Sequence, residues 1–150
     1  MPGRHTMHVF IAGVMQGSRQ DHDIDDQNYR LRIASALRDH GPDVRVTDPW
    51  ALHPESPTYD DGQTRDTFVT NVNLAREADL LIAYLPYASM GTAIEMWAAY
   101  SSHTYVIAVT PMSHNWVVRI TADEILPDLE SLLAYIESGR LWSRLEQHQK

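Results

Sequence analysis

One carboxylate stands out for where it sits. In the stretch YLPYASMGTAIEMWAAY (Tyr84–Tyr100), Glu95 follows a turn marked by Pro86 and Gly91 and opens onto a helix-like pattern. Two chemistries compete for it. In the first, TAIE is a capping box: Thr92 is the N-cap, and Glu95 reaches back to its amide. An acid in the first turn is also favoured by the helix dipole, and taken alone this is the commoner use of such a residue. In the second, Glu95 is a nucleophile at a strand-to-helix junction, behind a glycine that admits a ligand. A carboxylate so placed attacks an anomeric carbon and forms a covalent glycosyl-enzyme. Ser89 and the amides around Gly91 and Thr92 are then free to hold a hydroxyl or a phosphate.

Other candidate chemistries come apart on their spacing. GVMQGSR carries Gly13 and Gly17 after an apolar run, but it is neither G-x-G-x-x-G nor a Walker loop. Gly17, Ser18 and Arg19 could still offer backbone donors and a cation to an anion, or form an ordinary turn in which Arg19 pairs with Asp21, Asp23 and Asp25. DHDID begins like a calcium loop, yet Asp26 replaces the required glycine and Arg32 the closing glutamate. The eight histidines form no H-x-x-x-H pair, and cysteine is absent, so no metal site is expected. Nor is any cofactor.

The elements that must position Glu95 alternate between strand and helix. HVFIAGV (8–14) reads as a buried first strand. QNYRLRIASALRDHG reads as a helix with Tyr29, Ile33 and Leu37 on one face, stopped at Gly41. DVRVTDP is a second strand, and WALHPESPTYDDG, with two prolines, a long surface loop. Its Trp50 and Tyr59 either close over a ligand or pack the loop down. QTRDTFVTNVNLAREA is a helix with Phe68, Val72 and Ala75 on one face. DLLIAYLP and TYVIAVT are continuous apolar strands of the parallel-sheet kind. DEILPDLESLLAYIESG reads as a late amphipathic helix with Pro127 in its first turn, and RLWSRLEQHQK as a helix end or tail. This order predicts one α/β domain over residues 1–150, a three-layer sandwich on a mostly parallel sheet. Ligands in such folds bind beyond the carboxyl ends of the strands, the rim on which Glu95 falls.

Bulk properties narrow the partners. A composition of 43% hydrophobic and 21% charged residues is that of a soluble globular chain. The net charge of −8 disfavours a nucleic-acid polymer, whose phosphates need a basic surface. No apolar run is long enough to span a membrane, and MPGRHTMHVF lacks a signal-peptide core, so the expected location is the cytoplasm. Met90 and Met96 either shape a pocket or fill the core. Trp97, Trp116, Trp142 and Tyr100 are either interface or core aromatics, with core the commoner outcome.

The order HVFIAG, then ADLLIAYLPYASMGTAIEMWAAY, then TYVIAVT resembles the nucleoside 2-deoxyribosyltransferase family and its relatives, the nucleoside 5′-monophosphate N-glycosidases. The likeness spans residues 8 to 120 in layout and is specific around SMGTAIE. It implies a flavodoxin- or Rossmann-like fold, a nucleoside or nucleotide substrate, and Glu95 as the nucleophile at C1′. The sugar would then pass to another base or to water. It also implies Ser89, Gly13, Gly17 and Arg19 as phosphate contacts, and Asn115 as a residue reaching a neighbouring subunit's site in a homodimer or larger homo-oligomer. Two departures stand out. Phe10 occupies the place of a tyrosine that orients the glutamate. Asn71 occupies that of an aspartate that helps protonate the leaving base, and an amide can hydrogen-bond a base but carries no carboxyl proton. Asp66 and Asp79 are the nearby acids. A catalytically weak or inactive nucleotide-binding domain on the same fold is therefore the alternative, whereas with catalysis Glu95 is both set by the helix start and used at the anomeric carbon.

Overall fold

The computed structural model describes residues 5–15 and 26–149. Five strands, β1 (Met7–Gly13), β2 (Val44–Thr47), β3 (Leu80–Tyr84), β4 (Tyr105–Val109) and β5 (Glu124–Leu126), form one sheet in the order β2-β1-β3-β4-β5. Every pairing is parallel. The helices are α1 (Asn28–His40), α2 (Pro49–Leu52), α3 (Asp61–Glu77), α4 (Met90–Ser101), α5 (Trp116–Thr121), α6 (Leu129–Glu137) and α7 (Arg140–His148).

The alternation within β1 sorts the two cores. Val9 and Ile11 face one side with Ile33 and Leu37 of α1, Leu132 and Ile136 of α6, and Leu141 and Leu145 of α7. Phe10 and Ala12 face the other with Ala75 of α3, Met96 and Ala99 of α4, and Val118 of α5. Strands covered on both faces carry near-continuous apolar runs, and LLIAY and YVIAV are buried along almost their whole length. The three-layer α/β sandwich predicted from the alternation is therefore the fold, and its sheet is parallel throughout.

The carboxyl half departs from the sequence reading. Residues 124–126 form an edge strand beside β4 rather than the start of a helix, pairing Ile107 with Glu124 and Val109 with Leu126. Pro127, without an N–H to continue the ladder, follows that strand. Asp128 then caps α6 through the Ser131 amide at 2.8 Å, which leaves Pro127 outside the helix. Gly139, at φ 79°, turns the chain into α7, a separate helix with Leu141 and Leu145 fully buried. The proline-rich loop also contains structure: Asp48 caps α2 by accepting from Trp50 N and Ala51 N, and a 3-10 turn covers Ser56–Thr58.

The predicted face of α3 is only partly buried. Ala75 lies in the core, but Phe68 is 42% exposed. A helix of this length is about 25 Å long, against roughly 17 Å for a five-residue strand, so its first turns overshoot the sheet. Of the large aromatics, Trp142 packs against the α1 side and donates its indole N–H to His40 O at 3.0 Å. Trp97, Tyr100 and Trp116 are exposed on α4 and α5, against the commoner expectation of core.

Candidate active site at the carboxyl rim

The order 2-1-3-4-5 reverses direction between β1 and β3, and the crevice beyond the carboxyl ends of that pair is where such sheets take ligands. Gly13 and Tyr84 end the two strands in register. From Tyr84 the chain turns into α4, whose N-cap is Ser89: its Oγ accepts from Thr92 N at 3.3 Å. The capping-box reading of TAIE therefore fails. Thr92 lies inside the first turn, and Glu95 is the sixth residue of the helix, too far along to return to the cap. The acid has no part in starting the helix.

Glu95 is half-buried, and no hydrogen bond or ion pair engages it among the described residues. Burial pushes its carboxyl up to about 7, with the Arg30 guanidinium pulling the other way. A carboxylate that has lost part of its water and makes no hydrogen bond is a stronger base than a fully solvated one.

The cation comes from the buried face of α1. Arg30 is 2% exposed. Its Nε donates to Gln27 Oε1 at 2.7 Å, and its Nη1 to Ile11 O at 2.9 Å and Asp48 Oδ1 at 3.2 Å. Its Nη2 donates to Gly13 O at 3.4 Å. Beside it, Tyr29 packs on Tyr84 with ring centroids 4.3 Å apart and points its hydroxyl to Val14 O at 3.4 Å. Burial raises this phenol, and Asp48 and Glu95 add to the effect while Arg30 opposes it. Glu95, Arg30, Asp48, Tyr29 and Tyr84 thus form one electrostatic cluster at the switch point. A cavity of about 490 Å³ opens beside Arg30, between Asp48, Trp50 and the start of α1.

The remaining residues singled out from sequence scatter around this cluster. Gly13 is there for packing: a Cβ at Gly13 would lie 2.1 Å from the Tyr29 hydroxyl. Gly91 faces open space, with nothing within 4 Å of where a Cβ would stand. The Oγ1 of Thr92 and the Oδ1 of Asn71 are buried and have no hydrogen-bond partner among the described residues. Phe10 is fully buried in the α3–α4 core, so its side chain packs there and presents no surface to a ligand. Asn115 is the N-cap of α5, accepting from Val117 N and Val118 N. Gly17 and Arg19, with the acids at 21, 23 and 25, lie outside the described residues. Asp66 is exposed on α3. Asp79 sits before β3, at the amino end of the sheet, bound to His8 N at 2.8 Å. Neither acid joins the cluster. The described residues contain no group of acids and histidines suited to a metal.

Arg30 and Asp48 escape sequence reading, although one signal was present. Arg30, Ile33, Ala34 and Leu37 share the buried stripe of α1, and an arginine on such a stripe has to be neutralised by something.

Comparison with known proteins agrees with this architecture. Residues 9–130 match the model of a family described as nucleoside 2-deoxyribosyltransferase. A 2-deoxyribosyltransferase structure from the psychrotolerant bacterium Bacillus psychrosaccharolyticus is 18% identical with a TM-score of 0.60, covering 85% of this chain and 91% of that one. A conserved protein from Enterococcus faecalis V583 is 17% identical, with a TM-score of 0.60 and coverage of 89% and 98%. The CMP N-glycosidase of Clostridium botulinum is 16% identical, with a TM-score of 0.56 and coverage of 87% and 98%. At these identities the structural likeness speaks for the fold. No curated protein matches the chain in sequence.

Proposed function

The chain belongs to the nucleoside 2-deoxyribosyltransferase family, and on that premise we propose that it cleaves the N-glycosidic bond of a nucleoside or 5′-nucleotide through a covalent glycosyl-Glu95 ester. The observation that carries this reading is the state of Glu95. It is a partly desolvated carboxylate at the carboxyl rim of the sheet, without a hydrogen bond among the described residues and released from any capping duty.

In the first step a Glu95 oxygen bonds to C1′ as the C1′–N bond breaks, and the base leaves with the bonding electrons. Asn71 hydrogen-bonds the departing base, which takes its proton from solvent because an amide has none to give. In the second step a nitrogen of another base, or water, bonds to C1′. The C1′–O bond to Glu95 breaks, the carboxylate is restored, and the attacking group gives up its proton. Ser89, Gly91 and Thr92 line the helix start where a 5′-oxygen or phosphate would sit, and Gly13 ends β1, with Gly17 and Arg19 following it in the sequence. No cofactor takes part.

Association of copies in the cytoplasm completes the proposal. Met90 and Trp97 of α4 and Trp116 and Ile120 of α5 are all more than half exposed, an apolar surface of the kind that copies cover in each other. Asn115, at the start of α5, lies along that face.

Incubating the protein with deoxynucleosides and 5′-monophosphates, with and without a second free base, tests the reaction. Exchanged nucleosides identify a transferase. Free base and sugar product, independent of an acceptor, identify a hydrolase. Nucleotide binding without release of base from any substrate supports instead the inactive binding domain, a reading that Asn71 favours because it supplies no acid.

A further inference from the structure

The polar face of α7 looks onto a crevice at the other end of the sheet from Glu95. Glu124 and Tyr105 are the first residues of β5 and β4, so this crevice lies beyond the amino ends of the strands. It measures about 370 Å³ and is lined by Glu124, Tyr135, Arg140, Ser143, Arg144 and Gln147. The last four recur at the three- and four-residue spacing of one helical face, while Leu141 and Leu145 are buried beneath them. Opposite charges line the space without touching. Strand β5 contributes Glu124 and α7 the two guanidiniums, yet no ion pair within 4 Å joins them. Each side is held by other groups. Tyr105 and Tyr135 donate their hydroxyls to the same oxygen, Glu124 Oε2, at 3.5 and 3.3 Å, and Oε1 accepts no hydrogen bond among the described residues. Tyr135 is only 5% exposed, so the carboxylate is tied to the core. Arg140 lies over the Tyr135 ring, 5.3 Å from its centroid, and donates Nε to Ser138 Oγ at 3.2 Å. Arg144 engages no acid within 4 Å among the described residues.

We propose that this crevice is a second small-molecule site, separate from the one at Glu95, and that it takes a phosphorylated sugar. Two guanidiniums suit a dianionic phosphate, whose oxygens their planar forks bind in pairs. On the other side Glu124 Oε1 accepts a sugar hydroxyl, and Ser143 and Gln147 offer further partners for hydroxyls. The lining has no aliphatic side chain, and the one aromatic ring in it is already covered by Arg140, so an acyl chain or a nucleobase finds little apolar surface to bury. Inorganic phosphate would leave Glu124 facing an anion of its own sign. A ligand with an anion at one end and hydroxyl donors at the other satisfies both sides. Binding here asks nothing of Glu95, so the proposal stands apart from the glycosidic reading.

The test follows backbone amide NMR signals of the full chain during titration with ribose 5-phosphate, inorganic phosphate and ribose. Ribose 5-phosphate should give saturable shifts at Ser143, Arg144 and Gln147, and each of its two halves alone should bind at least about tenfold more weakly. Arg144→Gln, at an exposed position, should weaken ribose 5-phosphate by about tenfold through loss of a charge-assisted contact. Glu124→Ala removes the hydroxyl acceptor and the repulsion of phosphate together, so the preference for ribose 5-phosphate over inorganic phosphate should narrow by about tenfold. If Glu124→Ala does not fold, Arg144→Gln and the three-ligand comparison decide. Equal affinity for ribose 5-phosphate and inorganic phosphate overturns the sugar phosphate assignment and leaves a pair of arginines that attracts anions. Shifts confined to Gly91 and Thr92 put the ligand at the carboxyl rim and overturn the second site, as does the absence of any saturable shift on α7.

Discussion

Helices α3 and α4 lie side by side on one face of the sheet, and each begins at the carboxyl rim, yet their first turns are built differently. At α3 the capping box is closed: Asp60 Oδ1 accepts from Gln63 N at 2.8 Å, and Gln63 Oε1 accepts from Asp60 N at 3.0 Å. At α4 a serine does the capping with one longer bond, and the acid comes later, with no hydrogen bond or ion pair among the described residues. An acid near a helix start is thus not one kind of residue. One saturated with backbone amides stabilises the helix and is chemically quiet, whereas one held away from them in a desolvated crevice costs stability and gains reactivity.

The sharpest way to break this contrast is Glu95→Gln. Turnover should fall by about 10³-fold or more, as expected when a nucleophile is removed. Stability should move the other way. A carboxyl raised to about 7 in the folded chain, from its ordinary 4.5, binds protons more tightly there than in the unfolded chain. The resulting cost is absent below pH 4.5, grows as pH rises, and is complete above pH 7. The glutamine variant should therefore match the unmodified protein near pH 4 and exceed it at pH 8, by up to about 3 kcal/mol less a discount for partial exposure. Urea unfolding at the two pH values reads this directly, and equal stability at pH 8 would count against a desolvated carboxylate.

Gly13→Ala comes next. It drives a methyl into Tyr29 and should cost about 1–3 kcal/mol in the same assay, while Tyr29→Ala in the same chain should relieve the clash. Opening the α3 box with Asp60→Ala should cost about 1 kcal/mol, and Ser89→Ala about half of that, because only one long bond is lost. The smallest effect is that of Gly91→Ala, which meets no neighbour and should stabilise α4 by about 0.5 kcal/mol through helix propensity. If the open space at Gly91 receives substrate, KM should rise in that variant although the fold is firmer.

Most of this contrast lies beyond the reach of residue type. The strands β1, β3 and β4 can be read from sequence because both of their faces are buried, so composition alone marks them. Helix α1 reads through its four-residue spacing. The strand β5 does not, because three half-buried residues at a sheet edge leave no periodic trace and the apolar run after Pro127 extends the helical pattern over them. At the site, Glu95 stands out because a Gly-Thr pair precedes it in a turn. Arg30 does not, since a charged residue in an amphipathic helix ordinarily belongs to the wet face, and only the finished sheet shows which face it occupies. The cap of α4 misleads for a related reason. Serine and threonine are both favoured N-caps, and the choice between Ser89 and Thr92 is made by where the chain leaves β3.

The sheet order has a consequence for how the chain reaches this state. The strand synthesised first, β1, ends up inside the sheet, with Met7 beside Val44 and Val9 beside Leu80. Its second edge stays open until β3 emerges from the ribosome, and both its faces are apolar. Until then it can be sheltered only by partial structure or by a chaperone. Long-range parallel pairings close slowly, because distant segments must meet before any contact rewards them. The candidate crevice lies at this same seam, so it forms only when that long-range pairing does. Slow or interrupted synthesis between residues 47 and 80 would then leave an aggregation-prone strand waiting rather than a half-built enzyme.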